Sequence, residues 1–444
     1  MGQKATWSIA TLICLAVGIG SGAAARAADV PTVSKSSVHR SKTTRSAVTS
    51  KASVRRTTTA RTHAVVSTTH AVTTRSRTSA ATRSTSGAHM VLAVRRSARR
   101  HPTYERFTGN SFTDSLTLGD VTAGEDPVVR AAAVDALGNM NGTALAIDPS
   151  SGRILAMVNQ RLALSSGAEP CSTIKLSVAL AALDEGLITR DTPVNLGGHY
   201  TMTLTKALAL SINPYFETLG RMLGFERVKH YANMFGLGEL AGYNIEGEQL
   251  GVYPDTPLPE SQGGVGRMCS FGESISMTPL QLGALVSAIA NGGTLYYLQH
   301  PTTPDEAANF EPKVKRLLDI APLIPEMKDG MEGAVDYGTA RSLKVNFHDF
   351  PVLGKTGTCS DNGTRFGWFA SYAETPAGRI VTVFFIEGGR PSFGPHAAEL
   401  TGEFYRGLAE RNYFQPKGPQ VAQTMRWVGS TTSTIATAPT PAVP

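Results

Sequence analysis

Cysteine is scarce in this chain of 444 residues: there are four, too few and too far apart for a disulfide scaffold. The ten histidines are scattered, and nowhere do His, Cys and carboxylate side chains fall at metal-ligand spacing, so neither a metal nor a cofactor is expected. Long apolar runs are also missing, apart from Ala5 to Gly22 near the start. A bundle of membrane spans is therefore excluded. That one run follows Lys4 and precedes Ala25-Arg26-Ala27, a small-x-small pattern, so residues 1–27 read as a signal peptide or, if uncleaved, a signal anchor. From Val30 to Tyr104 acidic residues are absent altogether, whereas lysine and arginine number fifteen among many serines and threonines. Such a segment cannot bury a core, and residues 28–104 read as a disordered basic tether, first of all a solvated spacer, with contact to anionic lipid or wall polymer as the alternative its charge allows. The formal net charge of +7 belongs to that tether, because the remainder carries more acidic than basic residues. For an exported chain, nucleic acid is not an expected partner. Residues 105–416 are long enough for one large core, and 417–444, biased to Pro, Thr, Ser and Ala, read as a disordered tail.

Within the folded part, three short motifs occur in order: Ser172-Thr173-Ile174-Lys175, Ser211-Ile212-Asn213 and Lys355-Thr356-Gly357-Thr358. Ser172 and Lys175 open an apolar, alanine-rich run and are placed in the first turn of a helix, where a spacing of three puts them on one face. A serine hydroxyl becomes a strong nucleophile when a base takes its proton. Lysine can do this only as the neutral amine, which burial or a second nearby cation produces. Lys355 is the candidate second cation, itself staying charged for an anionic ligand. The pattern around it predicts an edge strand open to an extended peptide, with Gly357 allowing close approach. A lone Ser-x-x-Lys is more often an N-cap serine beside a solvated lysine. Here, however, Lys175 is the one lysine with a serine three residues before it. Ser-x-Asn recurs at Ser360-Asp361-Asn362, but so close to Lys355 that this copy reads as a turn into the next strand.

The ordered set resembles the transpeptidase domain of penicillin-binding proteins, within the serine penicillin-recognising enzymes. The likeness extends to Asn141 to Met157, similar to the family's opening hairpin, and to Phe271 to Leu282, similar to its segment before a buried helix. Asn213-Pro214-Tyr215-Phe216 fits as well. Cys171 stands where the family usually has glycine, and Gly272-Glu273-Ser274 replaces a more usual Gly-Gln-Gly. The resemblance implies an α+β fold, an antiparallel sheet sandwiched by helices with a helical subdomain, of the β-lactamase/transpeptidase type. It implies peptidoglycan D,D-transpeptidase activity on D-Ala-D-Ala stem peptides, and β-lactam antibiotics as ligands. It casts Ser172 as nucleophile, Lys175 as base, Ser211 as proton relay and Asn213 as the group holding Lys175. Lys355, Thr356, Gly357 and Thr358 become the substrate strand, with the backbone N–H groups of Ser172 and Thr358 as the oxyanion hole.

Local patterning agrees with that fold. A helix is expected at Pro127 to Leu137, strands at Thr143 to Asp148 and Arg153 to Asn159, then a mainly helical middle. Three antiparallel strands follow, at Val352 to Cys359, Gly367 to Tyr372 and Ile380 to Glu387, and a closing helix at Glu399 to Arg411. Three cysteines remain after Cys14. A bridge between Cys171 and Cys359 is allowed, but the expectation is three ordinary buried thiols. Two competing functional classes stay open. A D,D-carboxypeptidase or serine β-lactamase would share the acylation residues, although no Glu-x-x-Leu-Asn supplies a deacylating glutamate. A non-catalytic penicillin sensor or scaffold would keep them too, but would be expected to carry several membrane spans.

Overall fold

The computed structural model describes residues 107–415; the expected targeting segment, tether and tail lie outside the described residues. Asp126 and Pro127 start the first helix, α1 (Pro127–Leu137). The Asp126 carboxylate accepts hydrogen bonds from the N–H groups of Val128 and Val129, and Gly138, at φ 55°, ends the helix. Strands β1 (Gly142–Asp148) and β2 (Arg153–Val158) form the opening hairpin. The late strands β3 (Val352–Asp361), β4 (Thr364–Thr375) and β5 (Gly378–Gly388) extend beyond their expected limits at both hairpins, because Asn362-Gly363 and the turn before Gly378 let pairing continue to the tips. All five make one antiparallel sheet in the order β2-β1-β5-β4-β3, with β3 at the edge.

Both faces of this sheet are covered, which is why the middle of β4 is buried residue after residue. On one face lie α1 and the closing helix, with Phe369, Phe384, Phe404 and Tyr405 in their shared core. That closing helix begins at Gly394, earlier than the sequence suggested, because Pro395 sits in its first turn, where its missing N–H costs nothing. The other face packs on a buried helix, Pro279–Asn291, whose start is fixed by a reciprocal capping box between Thr278 and Gln281. Around it gathers the helical subdomain, including α2 (Lys175–Asp184), α3 (Asn213–Leu223) and α4 (Gly264–Phe271). The cleft that matters lies where these helices meet the edge strand. Among the described residues no helix is long and apolar enough to cross a membrane.

Candidate active site

Ser172 does not sit in the α-helix proper. It lies in a 3-10 turn, Cys171–Ile174, that feeds α2, so Lys175 is the first α-helical residue. The spacing of three still works, since i and i+3 share a face in a 3-10 turn. Lys175 Nζ is 2.9 Å from Ser172 Oγ. The turn is seated against β3 by close backbone approach: a Cβ built on Gly357 would lie 2.9 Å from the Pro170 oxygen and 3.2 Å from Thr173 Cγ2. The bareness of Gly357 therefore serves the docking of the Ser172 turn. Trp368, on β4 opposite Gly357, donates its indole N–H to the Glu169 carbonyl at 3.0 Å.

Ser211 turns the chain between a short helix, Leu204–Ala209, and α3, in the left-handed region at φ 57°. A non-glycine residue pays about 1 kcal/mol for that conformation. Here it aims two oxygens of one residue at Lys175: Nζ lies 3.0 Å from the Ser211 carbonyl and 3.1 Å from its hydroxyl. Asn213 Oδ1 is 2.6 Å away. The carbonyl and the amide oxygen can only accept, so they consume two N–H groups, and a neutral Lys175 is left with its lone pair for a hydroxyl proton. Phe216 stands 5.4 Å from the same nitrogen.

Lys175 is fully buried. Desolvation drives its pKa well below the ordinary lysine value, the Lys355 charge pushes it the same way, and Glu217 on α3 opposes both. Lys355 is buried too, with Nζ 2.8 Å from the Ser211 hydroxyl and 3.0 Å from the Thr356 carbonyl. Burial brings its pKa down to about 7. Lys355 therefore gives up its proton more readily than an ordinary lysine. Ser211 bridges the two lysines through its hydroxyl.

The remaining strand residues divide by pleat. Thr356 and Thr358 face away from Lys355: the Thr356 hydroxyl shares a 2.6 Å hydrogen bond with Thr339, and Thr358 Oγ1 accepts from the Gly394 N–H at 2.8 Å. Each arrangement leaves one hydroxyl proton to donate. Thr339, just after Asp336, carries no motif in the sequence and was missed. The second Ser-x-Asn falls where it was read: Ser360 and Asp361 end β3, and Asn362 at φ 47° with Gly363 at φ 78° makes the hairpin turn.

The cysteine expectation is overturned. Cys171 and Cys359 form a disulfide with Cα atoms 5.5 Å apart, and among the described residues Cys269 is the free, buried thiol. The two come together because the turn before Ser172 lies alongside the strand after Thr358, within the span a bridge needs. Beyond them opens a cavity of about 880 Å³ lined by Glu169, Glu273, Asp361 and Cys359, among others. There, desolvation and the neighbouring Glu273 and Asp361 raise the Glu169 carboxyl to about 7. Gly272, at φ 76°, borders the same region, and a Cβ there would meet the Pro170 ring at 2.4 Å. No cluster of His, Cys, Asp and Glu able to hold a metal occurs among the described residues.

Residues 142–405 match the model of the family described as "Penicillin binding protein transpeptidase domain". Among curated proteins, stage V sporulation protein D of Bacillus subtilis is 27% identical over 336 residues, covering 64% of this chain and 51% of its own length. Peptidoglycan D,D-transpeptidase MrdA of Acinetobacter baumannii is 23% identical over 414 residues, covering 74% and 58%. The chain spans about half the length of the curated relatives it matches. Among solved structures, the transpeptidase domain of Burkholderia pseudomallei penicillin-binding protein 3 superposes with a TM-score of 0.55 at 20% identity, covering 67% of this chain and 97% of that one. With the family model matched over more than half of its length, this chain belongs to the penicillin-binding protein transpeptidase family.

Proposed function

We propose that this protein is a peptidoglycan D,D-transpeptidase that works through a serine acyl-enzyme. One observation carries the reading: Ser172 Oγ lies 2.9 Å from the nitrogen of a fully buried lysine, whose pKa burial and the Lys355 charge drive well below the ordinary lysine value. Ser172 attacks the carbonyl joining two D-alanines of a stem peptide, and its proton passes to Lys175 Nζ. The backbone N–H groups of Ser172 and Thr358 receive the oxyanion; that of Ser172, early in its turn, belongs to the donors a helix start cannot satisfy internally. Lys355 donates to the Ser211 oxygen, which frees the Ser211 proton for the departing D-alanine amine, and Lys175 replaces it. Lys355 binds the terminal carboxylate. The acyl group then leaves to an amine of a neighbouring stem.

In this reading the protein acts outside the cytoplasm after export. Its basic segment contacts wall polymer or anionic lipid, and β-lactams acylate Ser172 in place of the stem peptide. The test is to incubate the protein with a fluorescent penicillin and follow both labelling and release. Long-lived label lost in Ser172→Ala, at an unchanged thermal transition, supports the proposal. Fast release would move the reading to a hydrolytic enzyme, and label surviving in Ser172→Ala would place the nucleophile elsewhere.

A further inference from the structure

The Cys171–Cys359 disulfide flanks both halves of the site: Cys171 immediately precedes Ser172, and Cys359 immediately follows Thr358. The two cysteines are 188 residues apart in sequence and come from different layers of the fold. The turn they secure is only four residues long and starts without a side-chain cap. Cys171 is held at φ 51°, in the left-handed region that favours glycine. Such a conformation persists when the surroundings over-determine it. Three contacts do so here: the Trp368 hydrogen bond to Glu169, the close seat on Gly357, and the disulfide, the one covalent tie between turn and strand.

We infer that the Cys171–Cys359 bridge is a positioning element of the acyl-transfer site, holding the Ser172 and Thr358 backbone donors in register, and that acylation by this protein depends on its redox state. The inference rests on the acyl-enzyme reading above. Oxyanion donors act through geometry, so an error of about 1 Å costs up to a hundredfold in rate. The Lys355 side of the site, anchored within β3 and through Ser211, does not need the bridge to bind a carboxylate.

The bridge is also reachable. Cys171 is sealed, but Cys359 is partly exposed and lines the acidic cavity. A dithiol can therefore attack there. Its thiolate bonds to Cys359 Sγ, the S–S bond breaks, and Cys171 leaves as a thiolate that takes up a proton. The second thiol of the reductant then closes its own disulfide, releasing Cys359 as a thiol. Two electrons pass from the dithiol to the pair.

The full chain is assayed air-oxidised, after dithiothreitol, and after re-oxidation, with native-state alkylation and mass analysis counting the Cys171 and Cys359 thiols. Time courses at several concentrations of fluorescent penicillin separate the binding constant from the acylation rate constant. Reduction is expected to lower the acylation rate constant by about tenfold to a hundredfold with little change in binding, and re-oxidation to restore it. A Cys171→Ser/Cys359→Ser double variant, which removes the bridge and keeps a side chain at the left-handed position, should match the reduced enzyme and ignore dithiothreitol. Its thermal transition shows that it is folded. Equal rate constants in oxidised and reduced enzyme, or a faster reduced enzyme, overturn the positioning role. A binding constant that weakens while the acylation rate constant holds also overturns it. Absence of labelling in every state would instead sink the acyl-enzyme reading itself.

Discussion

Removing the charge of Lys355 should move the acylation pH profile to higher pH. Lys175 and Lys355 both contact the Ser211 hydroxyl, at 3.1 and 2.8 Å. Their nitrogens therefore lie within about 6 Å, where two unit charges at an effective dielectric near 20 repel by about 3 kcal/mol. That corresponds to about two pH units on the Lys175 titration. The sign follows from the cause: Lys355 lowers the Lys175 pKa, so its loss lets Lys175 keep a proton to higher pH. Two units is a ceiling, because Lys355 itself titrates at about 7 and presses on Lys175 only while protonated. Lys355→Met keeps the buried stem and removes the charge. The assay is the rate constant of acylation by a fluorescent penicillin from pH 6 to pH 10, in wild type and variant. Weaker carboxylate binding lowers the variant's amplitude, so the midpoint of the rise is what decides. A midpoint moved to lower pH, or unmoved, would refute the electrostatic coupling and leave Lys355 a binding group alone.

Ser211→Ala should slow acylation by about a hundredfold or more, the scale of lost general acid–base help; Ser360→Ala, at the hairpin, should leave the rate unchanged, and the reverse pattern would invert the choice between the two Ser-x-Asn copies. Gly357→Ala should push its new methyl into the Pro170 oxygen, lifting the nucleophile turn; labelling should slow by about tenfold or more while the melting transition falls by the equivalent of about 1 to 3 kcal/mol, and an unaffected rate would show that the turn is not seated as described. Glu169, whose folded pKa is raised to about 7, binds its proton more tightly folded than unfolded, so its contribution to stability is present at low pH and is lost as pH rises from about 4.5 through 7. Glu169→Gln should then raise the unfolding free energy at pH 8 by about 1 kcal/mol after screening of this partly exposed group, read as a higher melting temperature, and not at pH 4; stabilisation at both values would assign the effect to something other than titration.

The legible parts of this chain were those encoded locally. Asp126-Pro127 and Gly138 bracket α1 because capping is a property of neighbouring residues, and the three motifs were found by order and chemistry without knowledge of the sheet. The start of the last helix was misplaced because Gly394-Pro395 reads equally well as a turn when the chain around it is unknown. Tertiary facts stayed hidden for a different reason. The Cys171–Cys359 bond, the Thr339 partner of Thr356, and the docking of Trp368 on Glu169 join residues far apart in sequence, and no local pattern marks either end. Ser211 shows the same limit, since a left-handed serine looks like any other serine until its neighbours are packed.

The strand order described above also dictates when a working molecule can first exist. β1 is the first strand made, yet it pairs with β5, the last, so that Gly142 finds Ile386 and Ile147 finds Val381. A growing chain that has produced Ser172, Lys175, Ser211 and Asn213 still lacks the strand bearing Lys355 and the strand that closes the sheet onto β1. Contacts of such sequence separation pay their loop entropy before they return any stabilisation, which makes folding slow and delays it until nearly the whole domain is available. Until then the apolar surface that β1 and the buried helix Pro279–Asn291 present to β4 and β5 stays uncovered, and the chain depends on staying unaggregated for that interval. The interleaving that brings distant motifs to one cleft is thus also what leaves an incomplete chain without any part of the activity.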